Sequence, residues 1–97
     1  MKFSVSHAAA NWYIDELGLK SGDHLRIFTK IYSGIPTVFP GYYLGISIGA
    51  SDDAHFKAKV AGITFYIPYN DDWILNDYNL RIDLKDDEAQ YNFTEVS

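Results

Sequence analysis

At 97 residues, 47% hydrophobic and 22% charged, the chain is long enough for one domain with its own core, and too apolar for a disordered tail. Its formal net charge of −5 repels phosphate backbones and argues against nucleic acid as a partner. The absence of cysteine excludes disulfides, thiolate nucleophiles and thiolate ligation of zinc or iron–sulfur clusters.

The N-terminus, MKFSVSHAAANW, lacks the apolar stretch of a signal peptide, and no apolar run reaches the ~20 residues that span a bilayer. The expected location is therefore cytoplasmic. Lys2–Val5 reads as a short strand. Ser6 then offers a hydroxyl to an unpaired amide of the following helix, which runs to about Leu17 before Gly18 takes a left-handed cap. Ala10, Tyr13, Ile14 and Leu17 fall at i, i+3, i+4 and i+7, the spacing of a buried stripe. Trp12 lies opposite that stripe, so it either packs under a loop or is exposed at an interface.

Lys20–Asp23 is a turn. His24–Ile31 alternates, with Leu25, Ile27 and Ile31 on one face and His24, Arg26 and Lys30 on the other, the pattern of a half-buried strand. Tyr32–Gly41 holds two Gly and two Pro. Pro36 and Pro40 cannot donate to a ladder, so this is the longest irregular segment and the functional loop of choice. Tyr42–Ile48 alternates again, with Gly45 and Ser47 on its small side. His55–Lys59 and Ile63–Ile67 form a hairpin through Val60-Ala61-Gly62. After Pro68, Asn70 is placed to cap a short helix with Asp71 and Asp72 in its first turn. Leu80, Ile82 and Leu84 mark another strand, Lys85–Glu88 a charged loop, and Ala89–Val96 the last strand. The sum is an α+β, β-rich domain of about seven mainly antiparallel strands, with one N-terminal helix and one short late helix.

Chemistry-bearing residues are present but do not form a pattern. His7, His24 and His55 have no metal-ligand spacing. Asp71/Asp72 and Asp83/Asp86/Asp87/Glu88 read as solvated rims, because acid–base work requires one carboxylate buried beside another. Ser33, Ser47 and Ser51 lack a nucleophile elbow. These residues do not describe an enzyme. The aromatic content is the anomaly: eight Tyr, six Phe and two Trp. Tyr42, Tyr43, Tyr66, Tyr69, Tyr78 and Trp12 are candidates for a binding face, since Tyr and Trp favour interfaces; the alternative is that they line core edges with wet hydroxyls.

Taken in order, FSVSHAAANWYIDELGL, LRIFTKIYSG with GYYLGI, GITFYIPYNDDWILNDYNLRIDL and AQYNF resemble the elements of the HesB-like domain, the fold of A-type iron–sulfur cluster carriers. The resemblance implies a single HesB-like domain over residues 1–97, arranged as a sandwich. It sets Tyr32, beside Ser33-Gly34, where carriers have their first cysteine, and places their Cys-Gly-Cys tail beyond Ser97. With those thiolates missing it implies no bound cluster, no other cofactor, and a non-enzymatic place in iron–sulfur cluster assembly through protein contacts. The expected surface is Trp12, Tyr32, Ser33, Gly34, Tyr42 and Tyr43, with homo-oligomerisation a further expectation. Two readings stand beside it: a generic interaction or regulatory module on the same fold, and a weak iron binder using His and carboxylate oxygens.

Overall fold

The computed structural model describes residues 2–96, and within them eight strands and two helices form a β-rich α+β fold with two mixed sheets. β1 (Phe3–Val5) leads through Ser6 into α1 (His7–Leu17). Ser6 is extended, and its hydroxyl accepts the Ala9 amide at 3.1 Å, so the expected cap is in place. The buried stripe is shifted from the expected one. Ala9, Ala10 and Tyr13 are buried, Ile14 is half-buried and Leu17 faces solvent. The reason lies at the C-terminus: Gly18 turns left-handed at φ 65°, the Leu19 amide bonds the Ile14 carbonyl at 3.1 Å, and Leu19 folds back into the core in place of Leu17.

Strands β2 (His24–Ile31), β3 (Ile35–Pro36), β4 (Tyr42–Ile48), β5 (Ala54–Val60) and β6 (Ile63–Pro68) form one sheet in the order β3-β4-β2-β6-β5. β2 sits at its centre, antiparallel to β4 and parallel to β6. Leu25 and Ile27 face Ile48, Ile46 and Phe65 on the inner side, while Arg26 and Phe28 face outward beside Ser47 and Gly45. The β5–β6 hairpin turns at Ala61 (φ 54°) and Gly62 (φ 81°), a pair of left-handed residues whose twist matches the strands. β3 is only two residues long, which is all that the Pro-bearing segment contributes to the ladder.

The second sheet has the order β1-β7-β8, with β7 (Tyr78–Lys85) parallel to β1 and antiparallel to β8 (Glu88–Glu95). The expected charged loop Lys85–Glu88 is a tight turn with Asp86 and Asp87 both at positive φ. The mixed pairing and the eighth strand correct the count of about seven. The late helix, Tyr69–Leu75, is a 3-10 helix, and Asn70 does not cap it. The helix begins at Tyr69, so the cap position falls on Pro68 and Asn70 lies inside the first turn; the Tyr69 amide is taken by the Asp53 carbonyl at 2.8 Å.

Inner residues of both sheets, α1 and the 3-10 helix share one core: Phe3, Val5, Leu80 and Ile82 with Leu25, Ile27, Leu44, Ile63, Phe65 and Ile67, closed by Ala10, Ile74 and Leu75. Asp71 and Asp72 do not form a solvated rim. Asp71, 8% exposed, accepts the Thr29 hydroxyl of β2, and Asp72 meets His55 Nδ1 at 2.9 Å. Thr29 is thus the hydrogen-bond partner of a buried carboxylate, which is costly to leave unpaired. Thr29→Val is expected to lower stability by about 1–3 kcal/mol in urea unfolding. Thr29→Ser, which keeps the hydroxyl, should remain near wild type; equal losses in both would assign the effect to packing.

Candidate functional site

β2 runs past the core at its C-terminal end. Ile31 is 54% exposed there and Tyr32, the next residue, 89% exposed. Tyr32 adopts φ 79°, a left-handed conformation that a bulky side chain takes only where its surroundings impose it, at a cost of roughly 1–3 kcal/mol. The constraint is visible two residues on. Gly34 has φ 142°, and a Cβ there would lie 2.6 Å from the Leu44 carbonyl oxygen, so only glycine lets the chain swing back onto β4.

The segment after this apex is pinned. The Thr37 hydroxyl donates to the Tyr42 carbonyl at 2.8 Å and accepts the Phe39 amide at 3.0 Å. Phe39 packs edge-on against Trp73 (5.0 Å), Tyr78 (5.5 Å) and Phe93 (5.8 Å), and Tyr42 also meets Trp73 at 5.0 Å. Beyond this aromatic floor Ile31, Tyr32, Val38 and Tyr42 stay exposed. Ile31 and Tyr42 lie directly opposite each other in the ladder. An apolar rim on an anchored loop can contact a partner with little ordering cost.

A groove of about 290 Å³ lies alongside, lined by Trp12, Tyr13, Ile35, Ile46, Glu88, Ala89 and Tyr91. Trp12 is half-buried and edge-on to Tyr13 at 5.0 Å. Tyr13 and Tyr91 share a 2.6 Å hydroxyl–hydroxyl hydrogen bond. Burial raises both phenols above the ordinary tyrosine value, only partly opposed at Tyr13 by that bond and reinforced at Tyr91 by the Tyr13 phenol.

Of the residues expected to form the surface, Tyr32, Ser33, Gly34 and Tyr42 come together at the apex. Trp12 joins them only through Ile35, which belongs to the loop segment and lines the groove. Tyr43 points to the opposite side of the sheet, where it pairs with Lys30. Tyr66 is 1% exposed and Tyr78 sits in the aromatic floor, so neither offers a binding face; Tyr69 is exposed and stacks on His55 at 4.3 Å. Ile31 and Val38 were not among the expected residues. Alternation assigns Ile31 to the buried face, and the only counter-signal is that Gly34 and Pro36 follow so closely that the inner face runs out of neighbours. Among the described residues no three of His, Cys, Asp or Glu converge as metal ligands, and no helix is long and apolar enough to cross a membrane. The place after Ser97 where the resemblance set a cysteine pair lies outside the described residues.

These features define a small β-rich domain whose distinctive groups are exposed aromatic and aliphatic side chains. No family model matches the chain. It is 36% identical over 87 residues to the pyruvate dehydrogenase inhibitor of Bacillus subtilis, covering 90% of each protein. It is also 30% identical over 95 residues to an uncharacterized protein of Staphylococcus saprophyticus, covering 94% of this chain and 97% of that one. The chain belongs to the family of the Bacillus subtilis inhibitor. That overturns the expected role in iron–sulfur cluster assembly, because the relative matched over 90% of both chains is named a pyruvate dehydrogenase inhibitor.

The Tyr13–Tyr91 pair predicts an alkaline signature. The folded state keeps both protons where an unfolded tyrosine ionises, near pH 10, so their contribution to stability is full below about pH 10 and declines as pH rises further. Urea midpoints measured from about pH 8 to 11 should fall more steeply for wild type than for Tyr91→Phe; parallel slopes would show that the pair is not the source.

Proposed function

We propose that the chain is an inhibitor of pyruvate dehydrogenase that acts by binding the enzyme, as a regulator and not as a catalyst. The observation that carries this is the 36% identity to the Bacillus subtilis inhibitor across 90% of both chains. The apex of β2 supports it, because Tyr32, Ile31, Val38 and Tyr42 are the kind of rigidly held aromatic and aliphatic groups that anchor protein interfaces. In this proposal the HesB-like layout describes the scaffold alone, without iron chemistry.

The chemistry asked of the protein is modest. Inhibition by contact needs no acid, base or nucleophile; it needs a surface that excludes substrate or holds the enzyme in an unproductive state. Tyr32 meets the first requirement of a hot spot by standing free of its own core. Its backbone geometry is set by Gly34 and the β4 ladder before any partner arrives, so little ordering remains for binding to supply.

Titrating purified protein into the pyruvate dehydrogenase complex of the source organism is expected to lower its steady-state activity in proportion to occupancy. Tyr32→Ala should raise the half-inhibitory concentration at least about tenfold, equivalent to ~1.4 kcal/mol, while leaving the thermal melting profile unchanged. Undiminished activity at saturating wild-type protein would overturn the proposal.

A further inference from the structure

The geometry points to the outer face of the five-stranded sheet as a second contact surface, one that docks an acidic patch on the inhibited enzyme. This rests on the inhibitor reading for the identity of the partner. The register gathers the charges. One row across the strands reads Lys57–Tyr66–Arg26–Ser47 and the next Lys59–Thr64–His24; farther along β2, Phe28 pairs with Gly45 and Lys30 with Tyr43. Alternation puts all these side chains on the face turned away from the core. Arg26, Lys30, Lys57 and Lys59 are half of the eight Lys and Arg residues in a chain of net charge −5. At about 4.8 Å between strands and ~3.4 Å per residue, Arg26, Lys57 and Lys59 fall within roughly 12 Å of one another, and Lys30 extends the patch along β2 to roughly 22 Å.

Only one of the four cations is paired from within: Arg26 meets Asp53 at 3.5 Å, whereas the other ion pairs among the described residues, His55–Asp72 and Arg81–Asp83, leave Lys30, Lys57 and Lys59 out. Arg26 Nε is buried without a hydrogen-bond partner. The guanidinium lies 5.9 Å from the centre of the Phe28 ring, and the far end of that ring packs against Gly45, where a Cβ would come within 2.7 Å of it. The result is an outward aromatic side chain flanked by Arg26 and Lys30 on its own strand, with Lys57 and Lys59 two strands away on β5. On a protein whose remaining surface is dominated by carboxylates, such a face is complementary to a local acidic patch, whereas an extended polyanion would meet the surrounding negative charge.

The test uses purified full-length chain and the intact pyruvate dehydrogenase complex, with binding measured by surface plasmon resonance and inhibition by turnover. Lys57→Glu with Lys59→Glu is expected to weaken binding at least tenfold. Lys57→Gln with Lys59→Gln should weaken it less, and raising ionic strength should erode wild-type binding more than that of either variant. Lys20→Glu with Lys85→Glu, which makes the same change in net charge away from this face, should bind as wild type. All variants are checked by circular dichroism and melting, and a variant that fails to fold is replaced by the neutral pair at Lys30 and Lys59. If wild type binds and inhibits but both charge-reversed pairs behave alike, the docking face is overturned and the lysines only guard the exposed edge strand β5. Absence of wild-type binding overturns the inhibitor reading as well. Tighter binding to a DNA oligonucleotide than to the complex would replace the acidic protein patch by nucleic acid.

Discussion

The pairing of β2 on both sides is the constraint on which the rest of the molecule depends. Held antiparallel to β4 and parallel to β6, the strand has one allowed register. In that register Leu25 and Ile27 enter the core, Arg26 and Phe28 emerge on the outer face, and the chain still has Ile31 and Tyr32 to carry beyond the last neighbour. A slip by one residue would exchange Leu25 and Ile27 for His24, Arg26 and Phe28 on the buried side, placing a cation in the core. Stability and surface are thus specified by the same eight residues.

Much of this was legible because local chemistry decides it. Ser6 caps α1, Gly18 ends it, and the alternation of β2, β4 and β7 matches their buried faces. The misreadings are tertiary in origin. Leu17 lost its core place to Leu19 through the geometry of the helix C-terminus. Asn70 falls inside the helix because the turn starts at Tyr69, whose amide is held by the Asp53 carbonyl from a segment distant in sequence. Asp71 looked solvated until Thr29 from another strand was brought beside it. The parallel pairing of β2 with β6 left no periodic trace, since periodicity records a strand's faces and not its neighbours.

The surface was legible in part, and for a physical reason. Tyr32, Ser33, Gly34 and Tyr42 stood out because a Gly- and Pro-bearing segment between two strands has few ways to pair and so lies outside the sheet. Ile31 did not, because alternation describes direction and is blind to where the core ends. Tyr66 misled in the opposite sense: on an outward-facing register position it is nonetheless covered, its hydroxyl donating to the Gly49 carbonyl at 2.7 Å while His24 packs at its edge. The resemblance to cluster carriers read Tyr32 as the site of a lost ligand. On the inhibitor reading the same residue is an anchor held in place by Gly34.

Hydrogen–deuterium exchange of the chain, free and bound to the pyruvate dehydrogenase complex, tests the central claim most directly. Exchange reports backbone opening residue by residue, so it locates a contact without altering it. Exchange across residues 31–42 is expected to slow in the complex, with the turn at Asp86-Asp87 unchanged. Protection confined to β7 and β8, or none at saturating enzyme, would contradict it.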